Sequence, residues 1–334
     1  MSAELLQEAR RQIEICNACR YCEGYCSVFP AINRNRVFSD GDVTQLANLC
    51  HNCRGCYYAC QYTPPHEFAL NVPAVLARVR ADSWADFVWP GPFARLFQRS
   101  GVAITGLLVL AIALVLGLAA DPAPGADFYA VMPHGVMVAL FLPAFGLPLV
   151  AVAVGLRRYW RHVGGGPVRA IDIARALHDA ARLKDLSGGQ GQGCNFEIGD
   201  RYSNTRRWLH HAVLYGFLLC FAATGVATLM HYLFALPAPY GPFSLPKLLG
   251  VPGGVLLTFG AAGLAWLKTR GERHLGAEAL WGGEMAFVLL LFVVAASGLA
   301  LYAATGTGWM PALLALHLGS VLAFFLLVPY SKMV

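Results

Sequence analysis

Cys16-Asn-Ala-Cys-Arg-Tyr-Cys-Glu-Gly-Tyr-Cys26 and Cys50-His-Asn-Cys-Arg-Gly-Cys-Tyr-Tyr-Ala-Cys60 are two copies of one pattern, Cys-x2-Cys-x2-Cys-x3-Cys. Every cysteine of the first copy recurs 34 residues later, and so does a proline, Pro30 and Pro64. A fixed period of this kind marks the duplication of one structural unit. Three cysteines at three-residue spacing can wrap three corners of an iron–sulfur cubane. In two-cluster ferredoxins the fourth, beyond a three-residue gap, reaches the other cluster. The expected ligand sets for two 4Fe–4S clusters are therefore Cys16, Cys19, Cys22 with Cys60, and Cys50, Cys53, Cys56 with Cys26. Zinc is the competing occupant, but zinc sites favour two separated pairs of ligands. In ferredoxins a proline directly follows the fourth cysteine, whereas here it comes four residues later. The flanks Leu5 to Ile15, Val43 to Leu49 and Val72 to Val79 have helical patterning, which favours an α-helical ferredoxin over the small β-containing kind.

Outward from this segment the composition changes. Apolar residues make up 57% of the 334-residue chain and charged residues 13%, against about 45–50% and about 25% in soluble domains. Residues 1–98 form the cysteine-rich, mostly polar unit, and 99–334 the apolar one. Long apolar runs lie at about 101–120, 131–155, 211–236, 248–267, 284–304 and 312–330, each near the ~18–20 residues needed to cross a bilayer. A soluble bundle of six such helices would need polar faces that these runs lack. The stretch 156–210 carries ten basic residues: Arg157, Arg158, Arg161, Arg169, Arg175, Arg182, Lys184, Arg201, Arg206 and Arg207. Lys268, Arg270 and Arg273 follow the fourth run, while the alternate loops hold only Lys247. The positive-inside bias then places both termini, the cysteine-rich unit and loop 156–210 in the cytoplasm of an inner (cell) membrane protein. Trp84, Trp89, Trp160 and Trp208 flank the cytoplasmic ends. Residues 1–15 read as a charged helix without the apolar core of a signal peptide. Clustered cysteines on that side read as metal ligands rather than disulfides.

Histidines at membrane depth are functional candidates because polar groups there are costly. Haem b takes two neutral imidazoles from facing helices. His134, His231 and His317 fall at the outer level, and His210 and His211 at the cytoplasmic level. On an ideal helix His210 lies about 60° from His231 in azimuth and His211 about 160°, so His210 shares the face of His231. The expected outer pair is His231 with His317, and His134 is its reserve. His51, His66 and His274 read as structural or surface residues. Cys220 reads as a small hydrophobe in the membrane. Cys194, in a Gly-rich loop, is either a partner contact or an ordinary loop residue. Arg175, Arg182, Lys184 and Arg201 are candidates for meeting an acidic partner face. No Rossmann fingerprint occurs at a strand-to-helix turn, and no residue set suggests hydrolytic, group-transfer or nucleic-acid chemistry. Substrate chemistry is therefore expected on a partner.

The stretch Cys16 to Phe68 resembles the tricarballylate/citrate utilisation protein B family, as does Arg206-Arg-Trp-Leu-His-His-Ala-Val-Leu-Tyr-Gly-Phe. The resemblance runs over essentially the whole chain. It implies a membrane protein that re-oxidises the reduced FAD of a soluble tricarballylate dehydrogenase, which makes cis-aconitate, and passes electrons by 4Fe–4S clusters and haem b to membrane quinone. A narrower stretch, His317-Leu-Gly-Ser-Val-Leu-Ala-Phe-Phe-Leu-Leu-Val-Pro-Tyr-Ser-Lys-Met-Val334, is similar to the last haem-binding helix of the respiratory nitrate reductase gamma subunit. There a second histidine follows eighteen residues after the first, one position beyond Val334. An outer haem is therefore expected to be held better than an inner one, which would use His210 or His211. The expected fold is all-α: a cytoplasmic α-helical two-cluster ferredoxin domain followed by a six-helix transmembrane cytochrome b-like bundle. The rivals are an electron-transfer module of another respiratory complex, of heterodisulfide- or nitrate-reductase type, and a metal-sensing membrane transporter.

Overall fold

The computed structural model describes residues 1–119, 128–189, 191–197 and 199–331. Residues 332–334, the end of the stretch compared with the nitrate reductase helix, lie outside them, as does most of loop 121–130. In chain order the helices are α1 (Ala3–Cys19), α2 (Val28–Ile32), α3 (Asp40–Leu49), α4 (Gly55–Tyr58), α5 (Val72–Phe87), α6 (Gly91–Ala119), α7 (Phe128–Val131), α8 (His134–His162), α9 (Ala170–Ala181), α10 (Thr205–Phe234), α11 (Leu245–Arg270), α12 (Trp281–Ala303) and α13 (Met310–Leu327). Among the described residues there is no strand, only an isolated bridge between Cys194 and Ser203. The fold is all-α.

The chain divides into two units. The first gathers Met1–Arg99, Ala151–Trp208 and Trp266–Trp281; the second gathers Ser100–Val150, Leu209–Ala265 and Gly282–Val334. In the first unit α1 starts where the Ser2 hydroxyl accepts from Leu5 N–H at 3.3 Å. It buries Leu5, Ala9 and Ile13, spaced four apart on one face. The capping box of Ser39 and Asp42 opens α3, and the Asn71 side chain caps α5. Val43, Leu46 and Ala47 of α3 and Val72, Val75, Leu76 and Val79 of α5 close the core with Val28, Phe29 and Ile32 of α2.

The stretch 156–210 is more than an orientation signal, because it folds onto the cysteine-rich segment. His162 Nε2 meets Thr44 Oγ1 at 3.2 Å, and Asn195 N–H donates to the Cys53 carbonyl at 2.8 Å. Helix α9 keeps no buried residue. Lys184, a candidate for partner contact, pairs with Asp179 at 3.1 Å.

The second unit holds most of six helices long and apolar enough to cross a membrane: Gly91–Ala119, His134–His162, Thr205–Phe234, Leu245–Arg270, Glu278–Ala303 and Met310–Tyr330. The first is broken at Ser100, whose φ of −119° is non-helical, so the apolar run beginning at 101 is a separate segment. Most of the others start before their apolar runs because hydrogen bonding continues into the charged flanks. Leu107, Leu114 and Leu118 are 63–78% exposed, an outward apolar face suited to lipid.

Apolar side chains gain little by leaving lipid for one another, so helices in a membrane associate by close packing. A Cβ on Gly216 would reach 2.5 Å from Leu257 N, and one on Gly260 would reach 2.8 Å from Val213 N. Helices α10 and α11 therefore touch backbone to backbone. Gly101 faces the Gly283 Cα in the same way, and Gly319 faces Ala113 N. Gly260→Leu should separate α10 from α11 and cost about 1–3 kcal/mol or more, read as a lowered Tm in detergent. Gly225→Leu, which meets nothing within 4 Å, should leave Tm nearly unchanged. Equal effects of the two would refute backbone contact as the packing device.

Candidate functional site

The eight repeat cysteines all lie in the first unit and are partly buried. Cys16, Cys19, Cys22 and Cys60 line one cavity of about 240 Å³, with Arg20, Tyr21, Phe29, Gln61 and Tyr62. Cys26, Cys50, Cys53 and Cys56 line a second, tighter one of about 20 Å³, with His51, Asn52, Arg54 and Asp185. A third small cavity is shared by Cys56 with Cys16, Cys22 and Cys60, so the two sets adjoin. The fourth cysteine of each copy thus sits with the first three of the other. The chain achieves this because α1 ends at Cys19 and α3 ends just before Cys50. Both copies then turn sharply at the residue after the second cysteine. Arg20 and Arg54 have left-handed backbones, with φ of 57° and 68°.

Electrostatics follows the same grouping. Burial, then the neighbouring Cys22, Cys60 and Cys19, pushes the Cys16 thiol up to about 12. Burial, then Cys60 and Cys19, pushes Cys22 up to about 12. Burial, then Cys53, raises Cys26, and burial, then Cys53, Cys26 and Cys50, raises Cys56. Four thiolates in such a cavity need positive charge among them. That donor set suits a cationic metal–sulfide core. Among the described residues no three His, Cys, Asp or Glu side chains are grouped to hold one metal ion. A single zinc would need its sulfurs at about 2.3 Å from one point, whereas a cubane takes one cysteine per iron.

Residues distant in sequence brace the lining of the second cavity. Asn52 Nδ2 donates to the Pro73 and Leu275 carbonyls at 3.1 and 2.9 Å. Arg206 donates to the Asn52 carbonyl at 2.9 Å. His51 Nε2 lies 3.5 Å from Asp185 Oδ2. Phe196 lies under both Arg54 and Arg206. None of these was singled out in the sequence except His51 and Arg206, since each lacks a motif of its own. Cys194 is not a partner contact: it is 2% exposed, with Sγ toward the Leu186 carbonyl at 3.5 Å. Its loop folds inward because Gly193, at φ of 94°, presses against the Ser203 carbonyl where no side chain fits. His66 packs edge-on against Tyr62 and at a tilt against Phe68, and His274 lies 3.5 Å from Glu272.

The membrane-level histidines lie in the second unit. The rings of His134 and His231 stack at 4.3 Å and 15°, edged by Tyr129 and Tyr232. His231 Nδ1 is buried without a hydrogen-bond partner. Face to face at this separation, the two rings leave no room for an iron between them. His317 sits against α12, with Nδ1 3.2 Å from the Val294 carbonyl and 3.1 Å from Ser297 Oγ. A Cβ on Gly298 would meet its ring at 2.9 Å. With the Val294 carbonyl accepting from Nδ1, the lone pair of the neutral ring lies on Nε2, an arrangement also found around metal-bound imidazoles. His211 stacks on Tyr215 at 6.0 Å, and His210 is half-buried on α10.

Residues 91–334 match the family described as citrate utilization protein B, and residues 9–86 match its Fer4-like domain. Citrate utilization protein B of Escherichia coli is 43% identical over 332 residues, covering 97% of this chain and 87% of that protein. No solved structure matches the chain. By the match over both of its parts, the chain belongs to the citrate utilization protein B family.

Proposed function

We propose that this protein is a membrane electron-transfer component of citrate or tricarballylate utilisation. It takes electrons from the reduced FAD of a soluble partner dehydrogenase, tricarballylate to cis-aconitate being the expected reaction, and delivers them to membrane quinone. The observation that carries this reading is the gathering of eight cysteines into two adjoining sets of four. When bound, two 4Fe–4S clusters and haem b would supply one-electron chemistry. Cys16, Cys19, Cys22 and Cys60 hold one cluster, and Cys26, Cys50, Cys53 and Cys56 the other. The residues around them set spacing, exclude water and tune potentials. The basic stretch 156–210 supports a cytoplasmic site for the first unit in an inner-membrane protein.

For haem the assignment is His317 with His231. His317 presents Nε2 with the Val294 carbonyl accepting from Nδ1, and His231 carries an unsatisfied buried nitrogen. His134 is the alternative partner of His317, since its ring already lies on that of His231. His210 and His211 remain the candidates for a second, cytoplasmic-side haem.

Two measurements test these assignments. Anaerobically purified protein should contain about eight irons and eight acid-labile sulfides per chain. Cys19→Ser and Cys53→Ser should each lose one cluster and stop reoxidation of the flavoprotein. Stoichiometric zinc without labile sulfide would replace this reading with the metal-sensing one. In reduced-minus-oxidised spectra His317→Ala and His231→Ala should each lose the six-coordinate b-type signal. Full signals in both at unchanged haem content would remove the pair, and a loss confined to His317→Ala and His134→Ala would move the second ligand to His134.

A further inference from the structure

The duplicated motif places an arginine at the same position twice, Arg20 after Cys19 and Arg54 after Cys53, with the same left-handed backbone. Their surroundings differ. Arg20 is exposed, and its Nε donates to the Asn17 carbonyl at 3.0 Å. Arg54 is 5% exposed and lines the cavity of Cys26, Cys50, Cys53 and Cys56. Its Nε donates to Asn52 Oδ1 at 3.0 Å and a terminal nitrogen to the Phe196 carbonyl at 3.1 Å. Its guanidinium carbon lies 4.4 Å from the Phe196 ring centroid, and that of Arg206 lies 4.3 Å from the same ring. Arg206 also holds the Asn52 carbonyl, one residue before Cys53.

A guanidinium buried in the cavity lining acts through a low dielectric, where its charge is felt more strongly than in water. Arg206, half-buried, stands behind it on the same ring and bonds to the residue before Cys53. Four cysteine ligands give the adjoining cluster its negative charge. A cluster held by four thiolates becomes more negative by one charge on reduction. A cation in a low-dielectric wall therefore favours the reduced form, while an exposed one is screened by water and salt. Backbone N–H groups do not separate the two sets in this way. Tyr62 N–H reaches Cys60 Sγ at 3.3 Å in one, and Val28 and Phe29 N–H groups reach Cys26 in the other.

We propose that Arg54 and Arg206 raise the reduction potential of the cluster held by Cys26, Cys50, Cys53 and Cys56, making it the electron acceptor of the pair. The step is the departure of one electron from the cluster at Cys16, Cys19, Cys22 and Cys60 and its arrival at the other, with no bond made or broken. The proposal rests on the two-cluster reading above.

The test is a redox titration followed by electron paramagnetic resonance on the full chain in detergent. The relevant signal is the one that disappears in Cys53→Ser. Arg54→Gln and Arg206→Gln should each move its midpoint negative by at least tenfold in the intercluster equilibrium, about 59 mV for one electron, and leave the other midpoint in place. Arg54→Lys should stay near wild type, and Arg20→Gln should move neither midpoint. Arg206→Gln, at a residue outside the cavity lining, keeps the test decisive where Arg54→Gln loses its cluster. An unchanged midpoint in Arg54→Gln at full iron content overturns the proposal. So does an equal shift in Arg20→Gln, or an unmoved midpoint in Arg206→Gln at full iron content. Wild-type protein lacking iron and labile sulfide would instead defeat the two-cluster reading itself.

Discussion

Thiolates brought together in a cavity shielded from water repel one another, and the first unit is built against that repulsion. Burial and neighbouring sulfurs hold the Cys16 and Cys22 thiols far above their ordinary range. Without an added cation the thiols keep their protons, and holding a metal means giving those protons up. The chain brings them together through its apolar core. Helices α1, α3 and α5 bury Ile13, Val43, Ala47, Leu76 and Val79 completely, and their ends deliver the cysteine loops. The cysteine loops are thus placed by helix ends anchored in a packed core.

The two sets are alike in sequence and unlike in surroundings. The first cavity is rimmed by Arg20, Tyr21 and Gln61, all exposed. The lining of the second, Asn52, Cys53 and Arg54 in particular, is held from behind by Asn195, Phe196, Arg206 and Leu275, which come from segments more than 140 residues away from Cys53. Duplication supplied two copies of one binding loop, and the later chain segments made the copies chemically different. Bracing of this kind alters electrostatics without altering any ligand.

In the second unit polar groups answer to a different solvent. Backbone groups are satisfied within helices, so α10 and α11 can meet along Gly216, Gly253 and Gly260 without losing hydrogen bonds. Histidines are the exceptions and are each held by a specific neighbour. His317 is pinned from α12 by the Val294 carbonyl and Ser297, and His231 by the ring of His134. Glycine serves here twice, bringing helices together and making room for the His317 ring at Gly298.

The sequence by itself determined the eight cysteines, their pairing across copies as an expectation, the helical flanks and the six apolar runs. Each is a local property: spacing along the chain, or hydrophobic period within one segment. Tertiary structure decided what depends on segments far apart. It closed loop 156–210 onto the cysteine-rich segment, buried Cys194, and placed Arg54 and Arg206 on Phe196 while leaving Arg20 in water. It also stacked His231 on His134 and seated His317 against α12. Helical azimuth puts His231 on one face, but which ring meets it depends on how α8 and α10 pack. No periodicity encodes that packing, because it depends on contacts between two helices rather than on the pattern along either one.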